Sequence, residues 1–513
     1  MTTSPASSGR PSPEGELGTD HLVPDIGKRS RRGGAMMMAG QALRVMLQAG
    51  AIIILARLLP PSAFGVLAMV AALGVVLDFA KDLGLSAATI QKDDLTEAQI
   101  SALFWINAGA GCVLALALFL GAPVLAHFYG QHVVEPVTKW MALAFIMSGL
   151  TVQHWALLRR QMRFGAIAVM EVAADLAGFA TAIALAYAGA GLWALVAQRL
   201  VTPGVLMVGA WLACRWRPGR PRRADGLGGL LRFGVQVTAG GLVTALTRSV
   251  DQVMIGWLWG PTVLGLYERT TRLLLLPINS INAPVYAVGM PALSRLAAHP
   301  EPYRRACRQL LQKVALLTMP VFAVVCVTAD WVVQILFGSA WTQAVPLVQW
   351  FAISATYLPI VMAVGLLYFT QDRTGEYLHA TVIDAMLCIA SILLGLASGA
   401  VGVAAAIAVV GVVVRTPMAF WLSTRHGPMR QRDVYSAVLP AIVAAVLSGA
   451  AVWAVRRFYL QDATLSVGHL AVVALTALVM MGLTLVAFAE LRRELAMLLR
   501  YPLALRLRRS AAR

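Results

Sequence analysis

The chain is organised by long runs of apolar residues, each about 20 residues or more, separated by short clusters of Arg, Pro, Gly and Asp. A helix needs about 20 apolar residues to cross the ~30 Å hydrocarbon core of a bilayer. The runs predict about fourteen such spans: 34–59, 62–86, 101–127, 136–156, 166–188, 190–213, 233–258, 262–287, 313–336, 345–368, 377–397, 400–423, 434–455 and 467–489. The expected fold is therefore an all-α polytopic membrane protein. The gaps at 1/2, 5/6, 7/8 and 11/12 are only a few residues long, which predicts tight helical hairpins.

The pattern repeats within the chain. A shift of 200 residues brings Arg32, Gly34, Gly40, Pro61 and Gly65 onto Arg232, Gly234, Gly240, Pro261 and Gly265. A shift of 210 brings Trp140, Arg163, Gly165 and Gly189 onto Trp350, Arg373, Gly375 and Gly399. The ten-residue difference is absorbed before span 9, where a longer loop is expected around Glu301 to Lys313. Coincident Ala or Leu means little in such a chain, but Trp, Pro, Arg and Gly recurring at the same helix ends indicate a duplication of six spans. An even number of spans makes the two copies parallel, related by an axis along the membrane normal with a central cleft between them. The expected divisions are a disordered tail at 1–33, a first bundle at 34–214, a basic linker at 215–232, a second bundle at 233–423, helices 13 and 14 at 434–489, and a basic tail at 490–513.

Composition agrees with this reading. Apolar residues make up 59% of the 513 positions and charged residues 13%, against about 25% charged in soluble domains; mean hydropathy is +0.73. Of the 42 Lys and Arg, only Arg57, Lys139, Arg456 and Arg457 fall on one side of the predicted membrane. Arg44, Lys81, Arg199, Arg248, Arg269, Arg272 and Arg415 fall within spans, and all the others lie on the opposite side. Basic residues stay cytoplasmic, so both termini are expected inside. The net charge of +18 reads as a topology signal with attraction to anionic lipid, not as a nucleic-acid footprint. The first 33 residues, rich in Ser, Pro and Gly, have no apolar core and do not resemble a signal peptide. The five cysteines form no framework of spacings and read as small buried residues.

Charged residues inside spans are costly and mark cavities or pairs. Span 1 carries Gln41, Arg44 and Gln48 on one helix face; span 7 carries Thr244, Arg248 and Asp251 with similar spacing. These stripes are candidate walls of the cleft. Arg248 with Asp251, and Glu268 with Arg272, could equally neutralise each other within one turn. Arg44 has no acidic residue within a turn. Lys81, beside Asp78 and Asp82, could be a solvated helix end. Glu171, Asp175 and Asp384 have no basic neighbour in sequence; they are candidates for a coupling proton or Na+, or for pairing with an arginine on another helix. No Gly-x-x-x-x-Gly-Lys-Ser/Thr and no paired Cys-x-x-Cys occurs, so neither a nucleotide engine nor a metal site is signalled. His154 and His379 read as satisfied helix-end residues.

Several stretches resemble one family. Ala56-Arg57-Leu58-Leu59-Pro60-Pro61-Ser62-Ala63-Phe64-Gly65 is similar to the first hairpin of bacterial polysaccharide-unit flippases of the Wzx type. Similar in order and spacing are Asp82 to Gln91, Gly191 to Val196, Arg248 to Asp251, Leu264 to Tyr267 and Pro291 to Arg295. The resemblance runs from about residue 30 to 425 and is strongest to the colanic-acid-exporter branch. Its wider superfamily includes drug exporters and the peptidoglycan-precursor flippase. It implies an inner-membrane transporter, not an enzyme, that flips undecaprenyl-diphosphate-linked oligosaccharide by alternating access. The substrate and membrane lipids would be the partners, with a polysaccharide polymerase and its chain-length machinery beside them. Intramembrane arginines suit a diphosphate, which they can bind with two parallel hydrogen bonds. That implication selects Arg44, Arg248, Gln48, Asp251, Lys81 and Arg272 as cleft residues. A drug exporter would favour carboxylates and aromatics over arginines, and a membrane glycosyltransferase or polymerase would need a long outside loop that the chain lacks.

Overall fold

A backbone N–H or C=O in hydrocarbon has no water to bond, and a helix satisfies both within one segment. Each apolar run folds accordingly. A computed structural model describes residues 26–82, 86, 89, 95–220, 227–459 and 467–488. The first six helices are α1 (Ile26–Leu58), α2 (Pro61–Asp82), α3 (Glu97–Tyr129), α4 (Val134–Arg160), α5 (Phe164–Tyr187) and α6 (Leu192–Ala213). Next comes a continuous stretch, Leu227–Leu296, broken at Gly260 (φ 75°) into α7 (227–259) and α8 (261–296). Then follow α9 (Pro300–Val327), the short α10 (Ala329–Leu336), a 3-10 turn (Ser339–Ala344), α11 (Val345–Thr370) and α12 (Thr374–Leu396). α13 (Gly399–Val410) passes through a π turn (Gly411–Arg415) into α14 (Thr416–Thr424), and α15 (Gln431–Tyr459) and α16 (Val467–Ala487) follow.

Twelve stretches among the described residues are long and apolar enough to cross a membrane. One of them, Ser249–Leu296, includes the break at Gly260, and α2, of 22 residues, is a further membrane-length helix. The chain is thus a multi-pass helical membrane protein. Three boundaries differ from the sequence expectation. Helix α1 begins at Ile26, inside the expected tail, and α7 begins at Leu227, inside the expected linker. The loop expected around Glu301 to Lys313 is the first half of α9: Tyr303, Cys307 and Leu311 are buried on one face of it, and that amphipathic pattern hides behind its arginines in a hydropathy reading.

The helices pack into two compact units, dividing between Arg269 and Thr270. In the first, α3 pairs with α4, α5 with α6, and α1 lies along α5. Its core gathers Ile100, Phe104, Leu157 and Ile167 with Trp216. In the second, α9 packs against α11 and α15, and α12 against α13, around Tyr303, Leu311, Val364, Phe420 and Val438.

The duplication is visible in backbone geometry. Met162 and Asp372, 210 residues apart, both hold left-handed backbone (φ 53° and 55°), as do Gly189 and Gly399 (φ 80° and 78°). The amides of Arg163 and Arg373 donate to Leu158 and Tyr368, again equivalent positions. The shift of 200 is equally visible within the first unit. A side chain at Gly65 would collide with the Pro261 carbonyl, and one at Gly265 with the Pro61 carbonyl. The contact is reciprocal, each copy offering the same two residues, as at a two-fold interface. Only glycine permits so close a backbone approach at these two positions.

Candidate functional site: two arginine–carboxylate centres on equivalent helices

Arg44 lies on the face of α1 that α5 covers. Its Nη1 donates to Glu171 Oε2 at 2.7 Å and its Nε to Asp175 Oδ2 at 2.8 Å. Glu171 and Asp175 are one turn apart on α5, so both reach the same guanidinium. The three side chains are 24%, 18% and 11% exposed, enough for the centre to be approached from outside. Gln48, one turn along, is half-buried and Gln41 is exposed. Arg44 therefore has counter-ions after all; they come from 127 and 131 residues away.

The second unit has its own centre. Arg415 Nε and Nη2 donate to the two Asp384 oxygens at 2.7 and 2.8 Å, a two-pronged ion pair. Arg415 ends the π turn between α13 and α14, and such turns re-aim side chains within an otherwise regular helix. The shift of 210 carries Asp175 to within one residue of Asp384. Each copy thus holds a carboxylate at the same level of its fifth helix. The arginines, however, come from different places: from the first helix in one copy and the sixth in the other. The charge balance also differs. With its carboxylates ionised, Arg415–Asp384 is neutral, whereas Arg44–Glu171–Asp175 carries one negative charge in excess.

The other predicted residues are placed as follows. Asp251 accepts from Tyr267 Oη and from the Gln252 amide, both at 2.8 Å. Arg272 is exposed on α8. Glu268 Oε2 lies 3.6 Å from Arg269 Nε. Lys81 and Arg248 belong to α2 and α7, but their side chains lie outside the described residues. The predicted pairing of Arg248 with Asp251 lies outside them too. His154 is fully buried among aromatics, stacked on Trp211 at 4.4 Å, and is not the helix-end residue expected; His379 Nδ1 lies 2.8 Å from the Gly375 carbonyl, one turn back on α12. Three arginines were counted among the span residues without a role: Arg199, Arg415, and Arg269, whose guanidinium lies 3.8 Å from the centre of the Phe64 ring. For Arg415 the signal was Asp384 itself, a span carboxylate without a local cation.

Known proteins are similar to this chain in sequence and in fold. The teichuronic acid biosynthesis protein TuaB of Bacillus subtilis (strain 168) is 27% identical over 58% of this chain and 60% of its own length. The lipopolysaccharide biosynthesis protein WzxC of Escherichia coli (strain K12) is 24% identical over 68% of this chain and 72% of its own. The chain thus spans 60% and 72% of the lengths of these two relatives. Among solved structures, the lipid II flippase MurJ in its inward closed conformation superposes with a TM-score of 0.69, covering 88% of this chain and 98% of MurJ at 12% identity. That likeness establishes a shared fold. Residues 54–346, more than half of the chain, match the polysaccharide biosynthesis protein family, and the chain belongs to that family.

Proposed function

We propose that the protein flips undecaprenyl-diphosphate-linked oligosaccharide repeat units from the inner to the outer leaflet of a bacterial inner membrane, by alternating access, for surface polysaccharide assembly. The observation that supports this furthest is the family membership of a chain with the fold of a lipid II flippase. Both termini face the cytoplasm in this reading, in keeping with the basic-residue bias.

Arg44 serves as a diphosphate contact, with Arg248 as its counterpart on the first helix of the second copy. The carboxylates on α5 hold Arg44 while the site is empty, which removes the difficulty of an unpaired guanidinium in a span. A diphosphate, with two charged groups, then competes with Glu171 and Asp175 for the same donors. The excess negative charge at this centre makes Glu171 and Asp175 better candidates for a coupling proton or Na+ than Asp384, whose pair is balanced. Undecaprenyl diphosphate oligosaccharide is the substrate, and the polymerase that extends the exported units is a partner of the pathway.

The test is complementation. In a host lacking its own repeat-unit flippase, expression is expected to restore surface polysaccharide and clear the lipid-linked unit from the inner leaflet. Continued accumulation of that unit, together with export of cationic dyes, overturns the proposal in favour of a drug exporter.

A further inference from the structure

Three tyrosines meet in the second unit, one each from α8, α11 and α12. Tyr286 on α8 donates its hydroxyl to the Met362 carbonyl on α11 at 2.7 Å. A side chain at Gly365 would meet that hydroxyl at 3.1 Å and the Tyr377 ring of α12 at 3.9 Å. Tyr377 packs its ring 5.8 Å from that of Tyr368 and 4.6 Å from that of Phe369, centre to centre, both at the end of α11. Tyr377 is 37% exposed, but Tyr368 only 4%. The Tyr368 hydroxyl has no hydrogen-bond partner among the described residues. The charges it feels are those of Arg373 and Glu376, the latter beside Tyr377 in the first turn of α12.

This cluster shares a helix face with the Arg415 centre. Tyr377, Thr381 and Asp384 follow one another at i, i+4 and i+7, so they lie on one side of α12. The Asp384 side chain is 44% exposed, and a carboxylate open within a span borders a wet cavity rather than lipid. Tyr377, two turns away on that side, borders the same water. An aromatic belt at the membrane surface would account for Tyr377 but not for Tyr368, because belt tyrosines turn their hydroxyls to water. A buried hydroxyl without a partner costs stability, and such a group calls for another explanation.

Flat apolar rings beside an unpaired hydroxyl suit a polyol. A pyranose lays its C–H face on an aromatic ring, and its hydroxyls both donate and accept hydrogen bonds. A cation also favours aromatic faces, but the Arg373 guanidinium already lies 5.4 Å from the centre of the Tyr368 ring. We propose that Tyr286, Tyr368 and Tyr377 form a sugar subsite. The exposed Tyr377 ring swings out, a glycosyl residue of the substrate packs against it, and a sugar hydroxyl bonds Tyr368 Oη. The inference rests on the transport reading above and deepens it, naming residues that read the glycan rather than the diphosphate.

The full chain in detergent micelles is titrated with undecaprenyl diphosphate, either bare or bearing one glucose, galactose, N-acetylglucosamine or N-acetylgalactosamine. Native mass spectrometry gives the Kd values. At least one sugar-bearing lipid is expected to bind about tenfold tighter than the bare lipid, the worth of about one hydrogen bond. Tyr368→Phe, which removes only the hydroxyl, should lose most of that preference. It should keep the bare-lipid affinity and melt no lower than wild type, since the deleted hydroxyl has no partner. Tyr377→Ala should lose the preference and Tyr377→Phe keep it. No preference in wild type, a preference unchanged by Tyr368→Phe, or a lower melting temperature for Tyr368→Phe overturns the proposal. Tighter binding of tetraphenylphosphonium than of any sugar-bearing lipid, lost with Tyr377→Ala, also overturns it, showing a cation site instead. Bare-lipid binding and the complementation test above score the transport reading: if both succeed while the sugar preference is missing, only the sugar subsite fails; if both fail, the transport reading fails.

Discussion

Arg163 and Arg373 each donate from Nη1 to the carbonyl fifty residues ahead, to Ala213 at 2.6 Å and to Ser423 at 3.0 Å. Donors and acceptors are both 210 residues apart, so the two copies keep the same bond tying the turn before the fifth helix to the end of the sixth. Arg373 has gained partners on this common plan: it also holds Glu376 through two bonds and the carbonyl of His426. Arg373→Ala is therefore expected to destabilise more than Arg163→Ala, because it loses more charge-assisted hydrogen bonds. Thermal unfolding in detergent checks the order of the two; equal losses would mean that the added partners contribute nothing.

The Arg44 centre separates stability from transport. Arg44→Ala leaves two carboxylates without their cation and should lower both membrane level and activity. The triple change Arg44→Ala, Glu171→Gln, Asp175→Asn should recover the level, measured by immunoblot, but not the surface polysaccharide. Recovery of both would make the arginine purely structural. Arg44→Lys keeps charge without the fork and should retain part of the activity.

At the reciprocal contact, Gly65→Val or Gly265→Val would force a side chain against a carbonyl. Overpacking of this kind costs about 1–3 kcal/mol. Each variant should melt lower than wild type by a similar amount, because the contact is symmetrical. A large asymmetry between the two melting temperatures would show that the symmetry is only approximate.

Topology is checked by cysteines introduced at Arg220, Arg304 and Arg430. All three should resist an impermeant thiol reagent in intact cells and react after permeabilisation. Labelling of Arg220→Cys in intact cells would reverse the orientation.

Much of this architecture could be read from the sequence, for a physical reason. The requirement for 20 apolar residues writes each span into a local run, and the turn residues at helix ends, such as Gly189, Gly399, Arg163 and Arg373, keep their spacing through the duplication. Pairings between helices leave no such trace. Arg44 lacks a counter-ion in its own helix, and nothing at that position points to Glu171 rather than Asp384. The first half of α9 was hidden for a related reason: charges at Arg304, Arg305 and Arg308 make it read as a loop, although its other face is buried.

α15 is held at both ends. Arg304 grips Asp433 at its start, and near its finish Arg456 donates to both Asp330 oxygens at 2.9 and 2.6 Å. Asp433 and Arg456 are 23 residues apart, about 35 Å along the helix. Fixing one end of a rod leaves it free to swing; fixing both removes tilt and sliding together. The helix that follows the duplicated region is thus tied as a strut, to α9 at its start and to α10 at its finish.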